Sequence, residues 1–265
     1  MKFFIIAVAL LFVACSDDDS DFVVRPSGRS SSSVCEDCDG ASSSSVTSLL
    51  SSSSIIRCKT ATEDTCQYGK LIDTRDGQVY KTVKIGRLWW MAENLNYEVE
   101  GSYCYNDSAE YCAKYGRLYL WSAAMDSLGQ WSESTKGCGD GSICDDPPPV
   151  QGICPEGWYL PSGREWYSLF EAIDGKNTAG KYLKSTSGWI DGGNGLDAYG
   201  FSALPAGSKY GNFQNEGKIA YFWEYTDISP GAAYNMDLWY DADCAYMQTH
   251  AKSLAFSIRC YKEDL

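Results

Sequence analysis

Apolar and polar positions divide the chain into three stretches with different patterns. Residues 3–14 form an unbroken run of apolar or small residues, and residues 27–54 contain fourteen serines among 28 positions without apolar periodicity. From about residue 58 onward, apolar positions recur at the spacings of strands and helices. The first run is shorter than the roughly 20 residues that a membrane-spanning helix needs. The pattern therefore predicts a signal peptide, a disordered Ser-rich linker and a folded region.

Alternating positions in the folded region predict several strands. Val79, Val83 and Ile85 alternate with polar neighbours up to a turn at residues 86–87, and residues 88–91 then form a second strand. Aromatic and β-branched residues predict further strands around 201–204, 219–226, 234–240 and 254–261.

Helical spacing predicts two helices. Residues 118–128 place apolar side chains on one face, so this segment is expected to lead into an amphipathic helix. Ser162 and Glu165 fit a capping box that opens the second helix, and Gly175 fits its left-handed stop. Residues 132–149, rich in glycine, acid and proline, predict a surface loop. The expected fold class is α+β, with a mostly antiparallel sheet and two main helices.

The residues around position 15 indicate how the chain is held. The segment Phe12-Val13-Ala14-Cys15 resembles the lipobox of bacterial lipoproteins, in which the chain is cut before a diacylated cysteine. An ordinary secretory signal with a chance cysteine is the alternative. The resemblance implies a membrane anchor through lipid on Cys15. The acidic residues 17–19 are similar to the tract that directs lipoproteins of the Bacteroidetes group to the cell surface, although a solvated spacer has the same composition.

These features predict three parts of the chain. A lipoprotein signal peptide covers residues 1–14, an acidic and Ser-rich tether covers 15–57, and a single domain covers 58–265. Treated as a random coil, the tether reaches about 35 Å, which is enough to lift the domain clear of lipid headgroups. We therefore expect an exported protein, anchored to the outer membrane and displayed at the cell surface.

Twelve cysteines in an exported chain predict a disulfide framework. If the lipidated Cys15 is set aside, an odd number remains, and pairing leaves Cys244 over. Zinc is the alternative for Cys35 and Cys38, although no second such pair exists and the one histidine, His250, is remote. The pairs suggested by sequence proximity are Cys35 with Cys38, Cys58 with Cys66, Cys104 with Cys112, and Cys138 with Cys144, while Cys154 and Cys260 are candidates to join distant parts of the domain.

Charge and motifs exclude several classes of function. The formal net charge is −13, which repels phosphate backbones, so nucleic acid is not an expected partner. A single histidine, and the lack of Gly-x-Ser-x-Gly, His-Glu-x-x-His and phosphate-loop motifs, argue against triad or metal hydrolysis. A glycosidase-type carboxylate pair stays open, because 35 acidic residues supply candidates that the sequence cannot place. We expect no cofactor.

Four motifs follow one another between Tyr80 and Lys262. They are KTVKIG at 81–86 with WMAENLN at 90–96, YGRLY at 115–119, CPEGWYLPS at 154–162 and YGFSALPAG at 199–207. In this order they resemble the Fibrobacter succinogenes major paralogous domain, a family of exported bacterial domains without an established activity. The resemblance covers most of the folded region.

A second similarity concerns the architecture. Residues 160–166, LPSGREW, are similar to the helix start of C-type-lectin-like domains of the formylglycine-generating kind, and residues 257–260, SIRC, fit their closing strand. The similarity implies a C-type-lectin-like domain in which Cys154 and Cys260 tie the second helix region to the last strand. The cysteine pair that formylglycine generation needs is missing, as is the Glu-Pro-Asn or Gln-Pro-Asp calcium motif of sugar-binding lectins. Neither chemistry is therefore carried over.

Aromatic residues are the main candidates for ligand contact, because sugar rings stack on flat aromatic faces. Most of the nine tryptophans and nineteen tyrosines are expected in the core. The lectin-like architecture places Trp189, Tyr199, Trp223 and Tyr225 beside or after its ligand-facing loop. These four are the predicted ligand-binding residues.

The glycine-rich stretch between these aromatics offers a calcium candidate. Asp191, Asn194 and Asp197 supply oxygen ligands, but calcium takes six to eight and no closing glutamate follows. The alternative is a turn in which glycines adopt positive φ and the polar side chains cap the backbone.

The sequence as a whole predicts a surface-tethered, non-catalytic binding domain. Polysaccharide or another cell-surface component is the expected ligand, with adhesion by aromatic stacking as the mechanism. A structural or protein-partner module of the cell envelope is the alternative.

Overall fold

A computed structural model describes residues 57–145 and 148–264, which belong to one compact unit. The strands are β1 Tyr68–Ile72, β2 Val79–Ile85, β3 Leu88–Met91, β4 Ser102–Tyr103, β5 Leu118–Leu120, β6 Ser208–Tyr210, β7 Asn212–Gln214, β8 Ile219–Ser229, β9 Ala232–Trp239, β10 Ala245–Ala251, β11 Ala255–Phe256 and β12 Tyr261–Glu263. The helices are α1 Ala109–Tyr115, α2 Trp121–Ala124, α3 Gly163–Ala172 and α4 Lys176–Leu183, with 3-10 turns at Tyr105–Asp107 and Glu133–Thr135.

The strands form three antiparallel sheets. Their orders are β1-β2-β3-β12, β10-β9-β8 and β4-β5-β11-β6-β7. The last strand, β12, pairs with β3 through Tyr261 opposite Trp90, so the C-terminal strand closes the N-terminal sheet. This mixture of antiparallel sheets and separate helices is an α+β fold, as the sequence predicts.

Arg259 is a fully buried cation that lies against the Phe201 and Phe222 rings of one hydrophobic cluster. Its guanidinium group donates to the main-chain oxygens of Met91 at 2.9 Å, Phe201 at 2.6 Å and Ser202 at 3.0 Å, and to the side-chain oxygen of Asn94 at 2.5 Å. A buried cation needs partners for its donors, and these acceptors engage four of the five guanidinium N–H groups without a carboxylate. Three segments distant in sequence are thereby joined at one side chain.

Stacked aromatic rings fill the space beside Arg259. The Trp90 and Trp166 rings stack with centroids 4.8 Å apart, and the Phe201 ring lies edge-on to Trp90 at 6.0 Å. Trp166 comes from α3 and Phe201 from the fourth motif, so residues in or beside several motifs meet here. The motifs that carry the family resemblance are therefore largely core residues.

Helix α3 begins with the predicted capping box. The Ser162 hydroxyl accepts the N–H of Arg164 at 3.2 Å, and the Glu165 carboxylate accepts the N–H of Ser162 at 2.9 Å. The helix ends at Ala172, and Gly175 follows with a φ of 94°.

The carboxylate of Glu224, on β8, faces the start of α3. It accepts the Thr226 hydroxyl at 2.9 Å and the backbone N–H of Gly163, and only 2% of the residue is exposed. Its Oε1 atom has no hydrogen-bond partner among the described residues. Burial raises the pKa of Glu224 to about 7, against the lowering effect of the two hydrogen bonds.

Several predicted elements are corrected by the structure. Residues 118–120 form strand β5 rather than the start of an amphipathic helix, and only Trp121–Ala124 are helical. Leu118 and Tyr119 are both buried because β5 lies inside its sheet, between β4 and β11, and a short apolar run cannot distinguish this from a helix. At 201–204 a single bridge at Ala203 replaces the predicted strand.

Two helices, α1 and α4, and five strands, β1, β4, β6, β7 and β10, lie outside the sequence prediction. Helix α1 is short, and α4 contains Gly180, a poor helix former. A Cβ atom at Gly180 would lie 2.6 Å from the main-chain oxygen of Cys244, so glycine is needed for the close approach of α4 to that segment. Strand β10 forms one edge of its sheet and alternates weakly, because Gln248 and Thr249 are both exposed.

Four disulfides confirm the predicted pairs. Three close short segments, and Cys154–Cys260 spans 106 residues to join the chain before α3 to the chain before β12. Cys244, left over in the sequence analysis, is also disulfide-bonded, which corrects that expectation. The short-range pairs are Cys58–Cys66, Cys104–Cys112 and Cys138–Cys144.

The predictions for the leader, Cys15, the tether and the Cys35–Cys38 pair lie outside the described residues. Within 57–145 and 148–264, no helix is both long enough and apolar enough to cross a membrane.

Candidate functional site

The candidate site is a surface cleft of about 340 Å³, which is within the size range of small-molecule sites. We call it the central cleft. Two half-buried aromatic residues, Tyr97 and Trp131, contribute to its wall, and Leu128 stands exposed at its rim. Its lining comprises residues 97–101, 120, 122–123, 126–128, 130–131 and 153.

The two aromatic rings are held by Arg75, which lies in the turn between β1 and β2. The Arg75 guanidinium is 4.0 Å from the centre of the Tyr97 ring and 5.1 Å from that of the Trp131 ring. The rings themselves meet edge to face, with centroids 5.4 Å apart. Cation–π and edge-to-face contacts are both favourable arrangements, so the pair is fixed before any ligand arrives.

Arg75 is itself fixed by Asp73. The two side chains form a bidentate pair, with distances of 2.8 Å from Nε to Oδ1 and 2.6 Å from Nη2 to Oδ2. Asp73 is fully buried, and a third donor of Arg75 bonds the main-chain oxygen of Ile153 at 2.8 Å. The charge of Arg75 is therefore neutralised behind the rings rather than offered to a ligand.

Asp126 sets the position of Trp131. Its carboxylate accepts the backbone N–H groups of Gln130 at 3.1 Å, Trp131 at 2.6 Å and Ser132 at 2.8 Å. Three such bonds to one ionised acceptor fix the loop after α2. The loop is consequently ordered by its own polar side chain.

The cleft carries an excess of negative charge. Glu98 and Glu100 are exposed at its wall, and Asp126 lies within it. Arg117 pairs with Glu98 at 2.6 Å. Since Arg75 is already paired with Asp73, an anionic ligand meets repulsion without a free compensating cation among the lining residues.

The four predicted ligand-binding aromatics lie elsewhere. Trp189 and Tyr199 are each only 5% exposed and Trp223 is fully buried, so the prediction of an open stacking face is corrected for these three. The Trp223 indole N–H donates to the Tyr119 main-chain oxygen at 2.8 Å, and that of Trp189 donates to Ser185 Oγ at 3.0 Å. Tyr225 is half-buried and its role as a ligand contact stays a prediction.

The calcium candidates are engaged within the fold. The buried Asp197 carboxylate accepts the Ser202 hydroxyl at 2.8 Å and pairs with Lys59, while Asn194 Oδ1 accepts the backbone N–H of Trp189 at 3.1 Å. Asp191 is exposed with a φ of 50°. These contacts favour the turn interpretation. In the described part of the chain, no cluster of three or more His, Cys, Asp or Glu side chains is arranged to hold a metal ion.

The only histidine belongs to a polar network on the β8-β9-β10 sheet. His250 Nδ1 lies 2.7 Å from Asn235 Oδ1, and Asn235 donates to the fully buried Asp237. Burial raises the pKa of Asp237 well above its usual value and lowers that of His250. The network lies outside the lining of the central cleft.

Sequence reasoning missed Tyr97 and Trp131. A usable signal was present, because each ring is flanked by polar or acidic residues, Asn96 and Glu98 for Tyr97, and Gln130 and Ser132 for Trp131. An aromatic residue in such a setting is less suited to a core than one with apolar neighbours.

The fold and the cleft define a disulfide-bonded α+β domain with an aromatic surface site. A family model described as the Fibrobacter succinogenes major domain matches residues 83–262. The chain belongs to this family. No curated protein and no solved structure matches it. The matched residues include both aromatic side chains of the central cleft, whereas Arg75 precedes the matched range.

Proposed function

We propose that the domain binds a neutral polysaccharide in the central cleft and acts as a binding module rather than as a catalyst. The observation that carries this proposal is the Tyr97–Trp131 pair, fixed from behind by Arg75 and half exposed in a cleft. Fixed aromatic rings offer contact area at a small entropic cost on binding.

The charge of the cleft selects the class of sugar. The charge of Glu100, which has no ion pair among the described residues, and that of Asp126 disfavour uronate or sulfated polymers, and the exposed Glu98 and Glu100 carboxylates can accept hydrogen bonds from sugar hydroxyl groups. Gln130 adds an amide that both donates and accepts. A neutral glycan therefore fits the cleft better than an acidic one.

The position of the protein in the cell is part of the proposal. The lipobox-like segment ending at Cys15 supports a lipid anchor, and the acidic residues 17–19 support display at the outer-membrane surface. The C-type-lectin-like architecture also stays a prediction, based on residues 160–166.

Retention on insoluble polysaccharides tests the binding proposal. The purified protein is incubated with cellulose, xylan and mannan, and with alginate as an acidic polymer. We expect retention on at least one neutral polymer and none on alginate. Trp131→Ala is expected to weaken retention at least about tenfold.

Tyr167→Ala supplies the matched control, because Tyr167 is an exposed aromatic residue on α3 outside the cleft. Thermal melts of both variants show that they are folded. Equal retention of the Trp131→Ala variant and the parent protein would contradict the proposal, and so would retention on alginate alone.

The anchor has a separate test. Mass spectrometry of the native protein is expected to detect acyl chains on Cys15, and protease treatment of whole cells is expected to remove the domain. Cys15→Ser is expected to release the protein from the membrane fraction. An unmodified Cys15 in the native protein would rule out the anchor without affecting the cleft.

One observation favours a protein partner as a second candidate function. Ile143 and Ile228 are 65% and 56% exposed, and their segments are joined by a 3.1 Å hydrogen bond from the Cys144 N–H to Asp227. Exposed apolar pairs of this kind occur at protein interfaces. Crosslinking on intact cells, compared between the parent and an Ile143→Asp/Ile228→Asp variant, is expected to lose a specific adduct if this surface is an interface.

A further inference from the structure

Two further clefts adjoin the central cleft and share its walls. One, the Lys209 cleft, has a volume of about 320 Å³ and shares Leu120 and Ser122 with the central cleft. The other, the Asn96 cleft, has a volume of about 450 Å³ and shares Tyr97 and Glu98 with it. The central cleft therefore meets the Lys209 cleft at Leu120 and Ser122, and it meets the Asn96 cleft at Tyr97 and Glu98.

We propose that the three clefts form one groove that binds an unbranched polysaccharide along its length, with at least one sugar ring in each cleft. This inference rests on the proposed function and specifies its ligand as an internal stretch of a linear chain. A site for a chain end or a single sugar needs only one cleft.

The Lys209 cleft also sets a cation against aromatic rings, and here the cation itself lines the cleft. The Lys209 ammonium lies 4.5 Å from the centre of the Tyr103 ring and 5.3 Å from that of the Phe213 ring. It donates to the Gly211 main-chain oxygen at 3.2 Å. An aromatic ring thus stands beside a hydrogen-bond donor, a combination suited to the apolar face and the hydroxyl groups of a sugar.

The Asn96 cleft supplies polar groups. Asn96 Nδ2 donates to Gln78 Oε1 at 3.1 Å, and the Gln78 amide donates to the main-chain oxygen of Asn96 at 3.2 Å. Asp76 and Arg117 complete the polar lining. These side chains offer both donors and acceptors to hydroxyl groups.

The spacing between the clefts is set by rigid elements. Tyr103 lies on β4 opposite Leu118 of β5, and the same β5 strand carries Leu120 into the partition between the Lys209 and central clefts. Ser122 follows on α2. A site built on strands and a helix holds its subsites at a fixed distance, which favours a polymer with a regular repeat.

Binding of oligosaccharides of increasing length tests the groove. Calorimetric titrations of the purified protein use cello-, xylo- and manno-oligosaccharides of two to eight units. For at least one series, we expect affinity to rise about tenfold or more between the shortest and the longest chains and then to level off, because added units reach the outer clefts.

Variants separate the groove from the central cleft. Tyr103→Ala is expected to lower affinity for the long oligosaccharides about tenfold and to leave the shortest unaffected, while Trp131→Ala weakens both. Lys209→Ala, which keeps the Tyr103 ring, is expected to act in the same direction as Tyr103→Ala. Tyr167→Ala again serves as the matched control, and thermal melts verify folding.

The results distinguish failure of the groove from failure of the central cleft as a sugar-binding site. If affinity does not depend on length, or if neither outer variant changes it while Trp131→Ala does, the groove is overturned and the central cleft still stands as the proposed site. If no oligosaccharide binds at any length, both proposals are overturned.

Discussion

Two arginine–aromatic clusters in this domain use similar contacts for different ends. Arg259 lies 4.7 Å from the Phe201 ring and is fully buried, while Arg75 lies 4.0 Å from the Tyr97 ring beside a surface cleft. Arg259 donates to main-chain oxygens from separate segments, so it connects the fold. Arg75 is neutralised by Asp73 and holds the Tyr97 and Trp131 rings in place, which leaves these rings available to a ligand in the cleft.

The difference shows why family motifs locate the fold more readily than the site. Asn94, Phe201 and Ser202, which bind Arg259 or supply its acceptors, all lie within the quoted motifs. Of the central aromatic pair, Tyr97 directly follows a motif and Trp131 lies in none. Asn94 binds Arg259 through its side chain and Phe201 packs its ring against the guanidinium, whereas the two rings of the central cleft are half-buried at the surface.

Removal of the Arg259 side chain is expected to have the largest effect. Arg259→Ala leaves four buried acceptors without donors and opens a cavity, so we expect the free energy of unfolding to fall by about 5 kcal/mol or more. Chemical denaturation measures the change. Arg164→Ala, at an exposed position, is the control and is expected to change stability by less than about 0.5 kcal/mol. Similar stabilities for the two variants would show that Arg259 does not organise the core.

Loss of the long-range disulfide ranks next. Cys154→Ala/Cys260→Ala is expected to lower the free energy of unfolding by about 4 kcal/mol, since the bond closes 106 residues in the unfolded chain. Cys58→Ala/Cys66→Ala, where the separation is 8, is expected to cost about 2 to 3 kcal/mol. Denaturant titrations of both variants give the comparison, and equal losses would contradict the dependence on loop length.

Removing both charges of the Asp73–Arg75 pair is expected to reduce stability less than removing the Arg75 charge alone. Arg75→Ala leaves the fully buried Asp73 carboxylate unpaired and is expected to destabilise the domain by about 3 kcal/mol. The double variant Asp73→Asn/Arg75→Ala is expected to lose less than half as much. A double-mutant cycle by denaturation measures this coupling. Additive losses would indicate that the pair does not act as a unit.

Part of the pH dependence of stability is expected to come from Glu224, which faces the start of α3, rather than from the acidic residues of the central cleft. Between the usual pKa of a glutamate, 4.5, and about 7, Glu224 is protonated in the folded state and ionised in the unfolded state. Its contribution to stability is therefore complete below pH 4.5 and is lost as the pH rises, by about 2 kcal/mol between pH 5 and 7.

Glu224→Gln tests this dependence. The variant is expected to flatten the fall in stability across pH 5 to 7, whereas Glu100→Gln, at an exposed acid beside the cleft, leaves it unchanged. Denaturation at several pH values measures both slopes. An unchanged slope in the Glu224→Gln variant would contradict the assignment.

Local features of the sequence predicted local structure well. The Ser162–Glu165 capping box, the β2–β3 hairpin and three short-range disulfides depend on residues close in the chain, and all are present. The errors arose where tertiary contacts decide. Gly180 is tolerated in α4 because another segment packs directly against it, and that contact has no signature in the local pattern.

The site was predicted less well for a similar reason. Trp189 and Trp223 appeared open because of the loops and strands around them, yet both satisfy their indole N–H groups inside the core. Tyr97 and Trp131 meet edge to face, and both rings contact Arg75 from the β1–β2 turn. Contacts between residues so far apart in the chain cannot be inferred from composition or periodicity.

The position of Arg259 and Cys260 also determines when the domain can fold. Both residues follow every helix and all strands except β12 in chain order. The main-chain acceptors at Met91 and Ser202 therefore lack their donor, Arg259, until most of the domain has been synthesised. The thiol of Cys154 likewise lacks its partner, Cys260. A chain that stalls before residue 259 therefore lacks the group that joins these segments, and we expect the core to complete its packing late in folding.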